Sequence, residues 1–344
     1  MTHPLDLVPQ MGHEQVVFCQ DPAAGYRAII AVHSTVLGPA TGGTRYWPYA
    51  STADALVDVL RLSRGMTYKN AAAGLALGGG KAVIIGDPRR HEGRADLFRA
   101  HGRFVERLGG TFITGEDVGV SPADLEISAT VSRHIAGIDS KGGDPSPWTA
   151  RGVLRAIEAC AFHRWGHTDL RGRTMILQGC GSVGGALARL LRDAGARLVV
   201  TDADPVRAAR TASDVNGTNV LPEEIYDQPG DVFVPCALGA ILNDHTIARL
   251  RVEVVCGAAN NQLQADHHAL ALAARGILYA PDYIVNAGGV ISGSVALLGE
   301  TPDGMAARVH SIHDTLLTVL DLASRDGITT AAAADRYAEA RLKG

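Results

Sequence analysis

Gly179-Cys-Gly-Ser-Val-Gly184 constrains this chain more than any other stretch. It fits Gly-x-Gly-x-x-Gly and follows an apolar run, Thr174–Gln178. It opens an amphipathic segment, Val183–Ala194, with Val183, Leu187, Leu190, Leu191 and Ala194 on one helical face. A strand that turns through such glycines straight into a helix is the phosphate-binding turn of a doubly wound sheet. Gly179, Gly181 and Gly184 remove side chains where backbone must approach a pyrophosphate, and the helix N-terminus offers free N–H groups with a partial positive charge. Cys180, Ser182 and Val183 complete the loop, Cys180 as a small side chain that fits the turn. Arg197–Thr201 reads as the next strand, and Asp202 at its end puts a carboxylate where an adenosine ribose would be held. A negative charge there disfavours the extra phosphate of NADP, so the expected cofactor is NAD. Arg207 either reaches the adenosine end or is simply exposed.

The 344 residues suggest about two domains. With 32 basic and 36 acidic residues the net charge is −4, and no basic tract suggests a nucleic-acid partner. Five scattered cysteines form neither a zinc motif nor a disulfide framework. His13-Glu14 does not extend to His-Glu-x-x-His because position 17 is valine, and His267-His268 reads as a solvated helix face, so no metal is expected. The N-terminus lacks a charged-then-apolar leader, and uncharged Tyr283–Gly299 reads as glycine-rich packing rather than a membrane span. The expected location is the cytoplasm.

Strands are expected at Gln15–Cys19, Arg27–His33, Lys81–Ile85 and Thr111–Thr114, with helices from Ser51 to Arg64 and from about Ala95 to Leu108. The Gly-, Pro- and Ser-rich run Asp139–Trp148 marks a domain junction. Beyond it come a helix over Arg151–Trp165, the glycine-loop unit, further parallel strands at Val232–Val234, Val252–Cys256 and Ile277–Tyr279, and a helical tail from Ser311. The fold class is α/β, in two domains with a cleft between them.

Lys69 and Lys81 lie in Gly/Ala-rich surroundings. Lysines are ordinarily solvated, but Lys81 follows three glycines and starts a wholly apolar strand. An interior lysine needs an anionic partner or a lowered pKa, and both serve catalysis. Asp117, after another strand, is either that partner or a turn cap.

Gly42-Gly-Thr-Arg45, Gly65-Met-Thr-Tyr-Lys69, Leu77-Gly-Gly-Gly-Lys81, Glu116-Asp-Val118, Pro235-Cys-Ala-Leu-Gly239, Ala258-Ala-Asn-Asn261 and Asn286-Ala-Gly-Gly289 together resemble the glutamate/leucine/phenylalanine/valine dehydrogenase family, in its hydrophobic-amino-acid branch. The resemblance runs in order along nearly the whole chain. It implies an N-terminal α/β catalytic and oligomerisation domain (1–138 and 328–344), a C-terminal Rossmann NAD-binding domain (139–327), an active site in the interdomain cleft, and a homo-oligomer. The implied reaction is reversible oxidative deamination of an L-amino acid to its 2-oxo acid and ammonia. By position, Lys69 resembles the lysine gripping the substrate carboxylate, Lys81 the catalytic lysine that activates water, and Asp117 the carboxylate that shuttles protons. Asn260 resembles the substrate-contacting amide. Thr41, Gly42, Met66, Gly115, Val290 and Gly293 fall at substrate-lining positions. Arg45, Thr149, Cys236, Ala237, Ala258, Ala259, Asn261 and Asn286 fall at cofactor positions. Thr41 stands where glutamate enzymes carry a lysine, so glutamate is disfavoured; Thr41, Gly115 and Gly293 are smaller or more polar than the leucine-type pattern, which implies a pocket open to aromatic as well as aliphatic side chains. Two other readings share the glycine loop: an NAD-dependent 2-hydroxy-acid dehydrogenase, which would want a catalytic histidine, and a non-catalytic NAD-binding regulatory relative.

Overall fold

The computed structural model describes residues 6–90, 92–137 and 144–343, so the first half of the expected junction at 139–148 lies outside the described residues. The chain divides into two compact units. The first holds Leu7–Gln10 (α1), Gln15–Asp21 (β1), Tyr26–Ser34 (β2), Ala40–Trp47 (β3), Thr52–Ala72 (α2), Gly78–Ile85 (β4), Arg94–Glu106 (α3), Phe112–Glu116 (β5) and Pro122–Ala129 (α4). The second runs over Asp144–Val295 and Gly299–Ala340.

The first unit is a five-stranded mixed sheet in the order β1-β2-β4-β3-β5. Strands β1, β2 and β4 pair antiparallel, whereas β3 runs parallel to β4 and β5. Alternate residues face opposite sides. Ile29, Ala31 and Val83 pack under Ala55, Leu56, Val59 and Leu60 of α2. Ala28, Ile30, Ala82 and Ile84 pack with Phe98 and Val105 of α3, Phe112 and Leu125. Ser51 caps α2 through its hydroxyl, which accepts from the Asp54 N–H at 3.0 Å.

Two differences from the sequence reading matter for the site. Strand β3 was not expected, because Gly42 and Gly43 interrupt its apolar alternation. Helix α2 continues past Arg64 to Ala72. One exposed glycine costs a helix about 1 kcal/mol, and burial of Thr67, Tyr68, Asn70 and Ala71 outweighs it.

On the α3 side His101 is fully buried, hydrogen-bonded to the Tyr26 hydroxyl (2.9 Å) and the Thr44 hydroxyl (2.8 Å). Burial lowers its pKa to about 4 from 6.5. Between those values the unfolded chain binds a proton that the folded chain refuses, so stability is full above 6.5 and falls as pH drops toward 4. This histidine alone costs the fold about 2 kcal/mol on going from pH 7 to pH 5. Urea unfolding at the two pH values should show that loss, and His101→Gln should flatten the slope; an unchanged slope in the variant refutes the assignment.

The second unit contains Ser146–Trp165 (α5), Thr174–Gln178 (β6), Ser182–Asp193 (α6), Arg197–Thr201 (β7), Pro205–Asp214 (α7), Thr218–Asn219 (β8), Val232–Pro235 (β9), Asp244–Arg249 (α8), Val254–Val255 (β10), His267–Ala274 (α9), Leu278–Tyr279 (β11), Asp282–Val285 (α10), Gly288–Leu298 (α11), Pro302–His310 (α12), Ile312–Asp326 (α13) and Thr330–Leu342 (α14). The last residues of α11, Ala296–Leu298, and those from Arg341 on group with the first unit. All pairings are parallel, in the order β11-β10-β9-β6-β7-β8. The chain enters at the middle, walks to one edge, then returns to the middle and walks to the other, which is the doubly wound dinucleotide-binding order. Its core includes Ile176, Phe233, Val255 and Leu272. Residues 328–340 group with this unit, where the sequence reading put 328–344 with the first. Thr330 donates to the Tyr279 carbonyl at 2.6 Å and Tyr283 to Asp335 at 2.9 Å.

No helix among the described residues is long and apolar enough to cross a membrane, and Tyr283–Gly299 is spent on α10 and α11.

Candidate active site

Lys81 lies within β4, and the three preceding glycines, expected to lead into the strand, are part of it. A Cβ at Gly79 would stand 2.0 Å from the Thr67 nitrogen of α2, and one at Gly80 2.6 Å from the Phe112 ring. Only glycine lets α2 and Phe112 approach so closely from the two sides, and the result buries Lys81 to 6% exposure. Its Nζ lies 3.1 Å from Asp117 Oδ2. Asp117 follows β5 and reaches in over Gly43, where a Cβ would come within 2.8 Å of the Asp117 Cβ.

The same Oδ2 accepts from Arg45 Nε at 3.0 Å, and Arg45 Nη1 reaches Asp58 Oδ2 at 3.0 Å. The Tyr49 hydroxyl donates to that Asp58 oxygen as well. Burial pushes the Lys81 pKa below its usual value, against the pull of Asp117. Burial alone would raise Asp117, but the charges of Lys81 and Arg45 hold its carboxyl below the usual range. A buried amine driven toward neutrality beside a carboxylate held ionised is a pair built to exchange protons.

Lys69 sits half-buried in the last turn of α2, the helix that packs on β4. Thr41 is buried, and its hydroxyl accepts from Asn70 Nδ2 at 2.9 Å. Met66 and Gly42 are neighbours, since a Cβ on Gly42 would lie 3.2 Å from the Met66 Cγ. Gly115 has only ordinary contact, with the Ala136 carbonyl. Sequence reasoning missed Asp58 and Tyr49, whose role appears only once Arg45 is placed. Arg45, expected at the cofactor, is engaged at both ends by carboxylates of its own unit.

In the second unit the glycine loop has the geometry its motif demands. Gly179 takes φ +98°, and a Cβ at Gly184 would lie 1.9 Å from the Gly179 oxygen and 3.3 Å from the Cys236 Cβ. A Cβ at Gly179 would meet Ala237 at 2.8 Å, so Cys236 and Ala237 close one side of the loop. Gly181 opens onto free space and caps α6 with no side chain, leaving the first N–H groups of the helix to a ligand. The Cys180 N–H donates to Asp202 Oδ2 at 2.7 Å, and Arg207 lies 3.4 Å from Oδ1, half-exposed. Asp202 thus anchors the loop. Burial pushes the Cys180 thiol up to about 11 and the Cys236 thiol to about 12, so neither is a thiolate nucleophile near neutrality.

Asn286 Nδ2 donates to the Ala258 carbonyl (3.1 Å) and to Asn260 Oδ1 (2.8 Å), which gathers the Ala258–Asn261 segment beside it. Ala259 is held by its N–H on the Pro235 carbonyl, and Asn261 takes φ +50°. Asn286 Oδ1 is buried without a hydrogen-bond partner among the described residues, an acceptor that suits a ligand amide. Thr149 stands against Gly289, where a Cβ would lie 2.8 Å from its hydroxyl. Val290 and Gly293 are one turn apart on α11, with open space at Gly293. A glycine cradle that a single Cβ would fill, a free helix N-terminus and an orphaned buried acceptor all fit a dinucleotide.

Replacing Gly184 by alanine tests that cradle. Overpacking of 1–3 kcal/mol should weaken NADH binding about tenfold or more in a fluorescence titration, whereas Gly185→Ala, whose Cβ meets only the Cys180 oxygen at 3.5 Å, should leave it within about twofold. Equal affinities in the two variants would refute the cradle.

His267-His268 is not the solvated face expected. His268 is 2% exposed, and one ligand atom each from His267, His268 and exposed Asp244 lies within 4.8 Å of the others.

The Glu/Leu/Phe/Val dehydrogenase dimerisation-domain model matches residues 13–134, and the glutamate/leucine/phenylalanine/valine dehydrogenase model matches 202–305. The leucine dehydrogenase of Thermoactinomyces intermedius is 48% identical over 98% of this chain and 93% of its own length. The L-tryptophan dehydrogenase of Nostoc punctiforme is 46% identical over 98% of this chain and 95% of its own. A crystal structure of L-tryptophan dehydrogenase from Nostoc punctiforme superposes with a TM-score of 0.89 at 44% identity, covering 98% of both chains. The chain belongs to the glutamate/leucine/phenylalanine/valine dehydrogenase family and is an NAD-dependent amino-acid dehydrogenase of its hydrophobic-substrate branch.

Proposed function

We propose that this protein interconverts a hydrophobic L-amino acid with its 2-oxo acid and ammonia, with Lys81 and Asp117 carrying the proton chemistry. The carrying observation is the buried Lys81–Asp117 pair at 3.1 Å. Bound NAD supplies the acceptor for the hydride that leaves the substrate Cα. Gly179–Gly184, Asp202 and Arg207 would hold its phosphate and adenosine portions, and Asn286, Thr149 and the Ala258–Asn261 segment would hold the remainder. Lys69 fixes the substrate carboxylate and so orients the Cα–H bond. Asp117 takes the proton from the substrate ammonium, through the Oδ1 oxygen that has no hydrogen-bond partner among the described residues. Neutral Lys81 then removes a proton from the water that attacks the imino carbon, and the resulting ammonium steadies oxygen charge on the carbinolamine.

Thr41 brings no charge to the side-chain end of the substrate, which disfavours glutamate, and the space at Gly115 suits aromatic as well as branched side chains. Asn260 adds an amide contact. The substrate domain is the first unit and the cofactor domain the second. A homo-oligomer is supported by the open edge strand β1, on which Phe18 is 53% exposed, and by the dimerisation-domain match. Location in the cytoplasm fits the absence of a membrane-crossing helix among the described residues.

The test is steady-state kcat/KM for leucine, valine, phenylalanine, tryptophan and glutamate with NAD, together with NADH oxidation by 2-oxo acids with and without ammonia. Turnover of the apolar amino acids at least about 10²-fold above glutamate is expected, since a charged carboxylate in that pocket would go unpaired. NADH oxidation that does not need ammonia would favour a 2-hydroxy-acid dehydrogenase instead.

A further inference from the structure

We propose that Arg45, clamped by Asp58 and Tyr49, is a positioning residue that fixes Asp117 in rotation and gives it a permanent counter-ion while Lys81 changes charge. The inference rests on the proton roles proposed above for Lys81 and Asp117, and gives Arg45 a task apart from any cofactor contact.

Asp117 Oδ2 accepts from two cations at once, Lys81 Nζ at 3.1 Å and Arg45 Nε at 3.0 Å. Both lie on one oxygen, which leaves the other clear of either cation. When Lys81 gives up its proton to become the base, Asp117 loses that counter-ion inside a buried site. Arg45 cannot lose its own proton, so the carboxylate keeps a cationic partner when Lys81 is neutral. The guanidinium is itself kept in plane by Asp58 on Nη1, and Asp58 by the Tyr49 hydroxyl. A lysine at position 45 has no fork to bridge Asp58 and Asp117 together.

The same chain of charges sets how readily Lys81 ionises. The Arg45 cation favours the neutral amine and the Asp58 anion favours the ammonium. Other titratable groups on the packed elements include Tyr26, Arg27 and His33 of β2, the last with ring nitrogens bonded to Thr67 (2.9 Å) and the Met11 carbonyl (3.1 Å), Tyr46 of β3, Asp54, Arg61, Arg64, Tyr68 and Lys69 of α2, and Glu116 of β5. Burial, Asp117, Arg45 and Asp58 are the largest influences on Lys81. Asp58 and Tyr49 border an open recess of about 510 Å³ with Trp47 and Val118, so Asp58 can be changed without emptying the core.

The experiment is the pH profile of kcat/KM for oxidative deamination in Asp58→Asn, Arg45→Gln and Arg45→Lys, each checked for folding by its melting transition. Loss of the Asp58 anion should move the rising limb to lower pH, and loss of the Arg45 cation should move it to higher pH, each by about half a unit or more. Arg45→Lys should return the limb toward the wild-type position while kcat stays about tenfold or more below wild type, because charge is restored without the fork. Limbs that stay put, or that move the same way in Asp58→Asn and Arg45→Gln, overturn the proposal, as does full recovery of kcat by lysine. Failure of the underlying reading looks different: it is substantial turnover by Lys81→Ala, measured separately.

Discussion

Lys81→Ala should lower kcat/KM for oxidative deamination by 10²–10⁴-fold while leaving NADH affinity within about threefold. Removing the side chain takes away the base that activates water and the cation that steadies the carbinolamine oxygen. The glycine loop, in the other unit, is untouched. Asp117 keeps Arg45 at 3.0 Å as a counter-ion, so the variant does not leave a carboxylate buried alone. Retention of more than about a tenth of wild-type activity would rule out this role for Lys81. The pH dependence has a definite sign. Burial lowers the Lys81 pKa below 10.5, and deamination needs the neutral amine, so activity rises with pH on a limb whose midpoint lies below that of a free lysine. The alanine variant should lose that limb, and a limb preserved in its residual activity would assign the titration to some other group.

Asp117→Asn should cost a comparable 10²–10⁴-fold, for a different reason. An amide cannot accept the proton of the substrate ammonium, and it leaves Lys81 and Arg45 facing each other without an anion between them. Lys81 can escape by deprotonating, which limits the loss of stability; the melting transition should therefore fall modestly while turnover collapses. Because the two side chains act as one unit, the double variant Lys81→Ala/Asp117→Asn should be little slower than either single variant. Losses that multiply would mean that the residues work independently, and would break the proton-exchange account.

How far the sequence could be read depended on how local each feature is. The cofactor loop was readable because its strand, glycines and helix are contiguous, and the same residues that turn the chain also meet the ligand. The burial of Lys81 was readable from the apolar residues that follow it. Strand β3 was not, since Gly42 and Gly43 carry no side chain to mark a face, and their purpose is to admit Met66 and Asp117 from elsewhere. The second half of α2 was cut short at Gly65, because local propensity cannot register packing against β4. His267-His268 misled in the same way: two polar neighbours look solvated until the fold buries one of them.

Contiguous residues were thus enough to establish the α/β class, the dinucleotide turn and an interior lysine, because each is governed by interactions along a single strand, turn or helix. The charge relay from Tyr49 through Asp58 and Arg45 to Asp117 and Lys81 was set by folding alone. Arg45 and Asp117 are 72 positions apart, and nothing along the backbone between them encodes a 3.0 Å contact. It arises because β4, β3 and β5 align side by side with α2 packed on β4, and because burying charge in that place demands that every cation find its carboxylate.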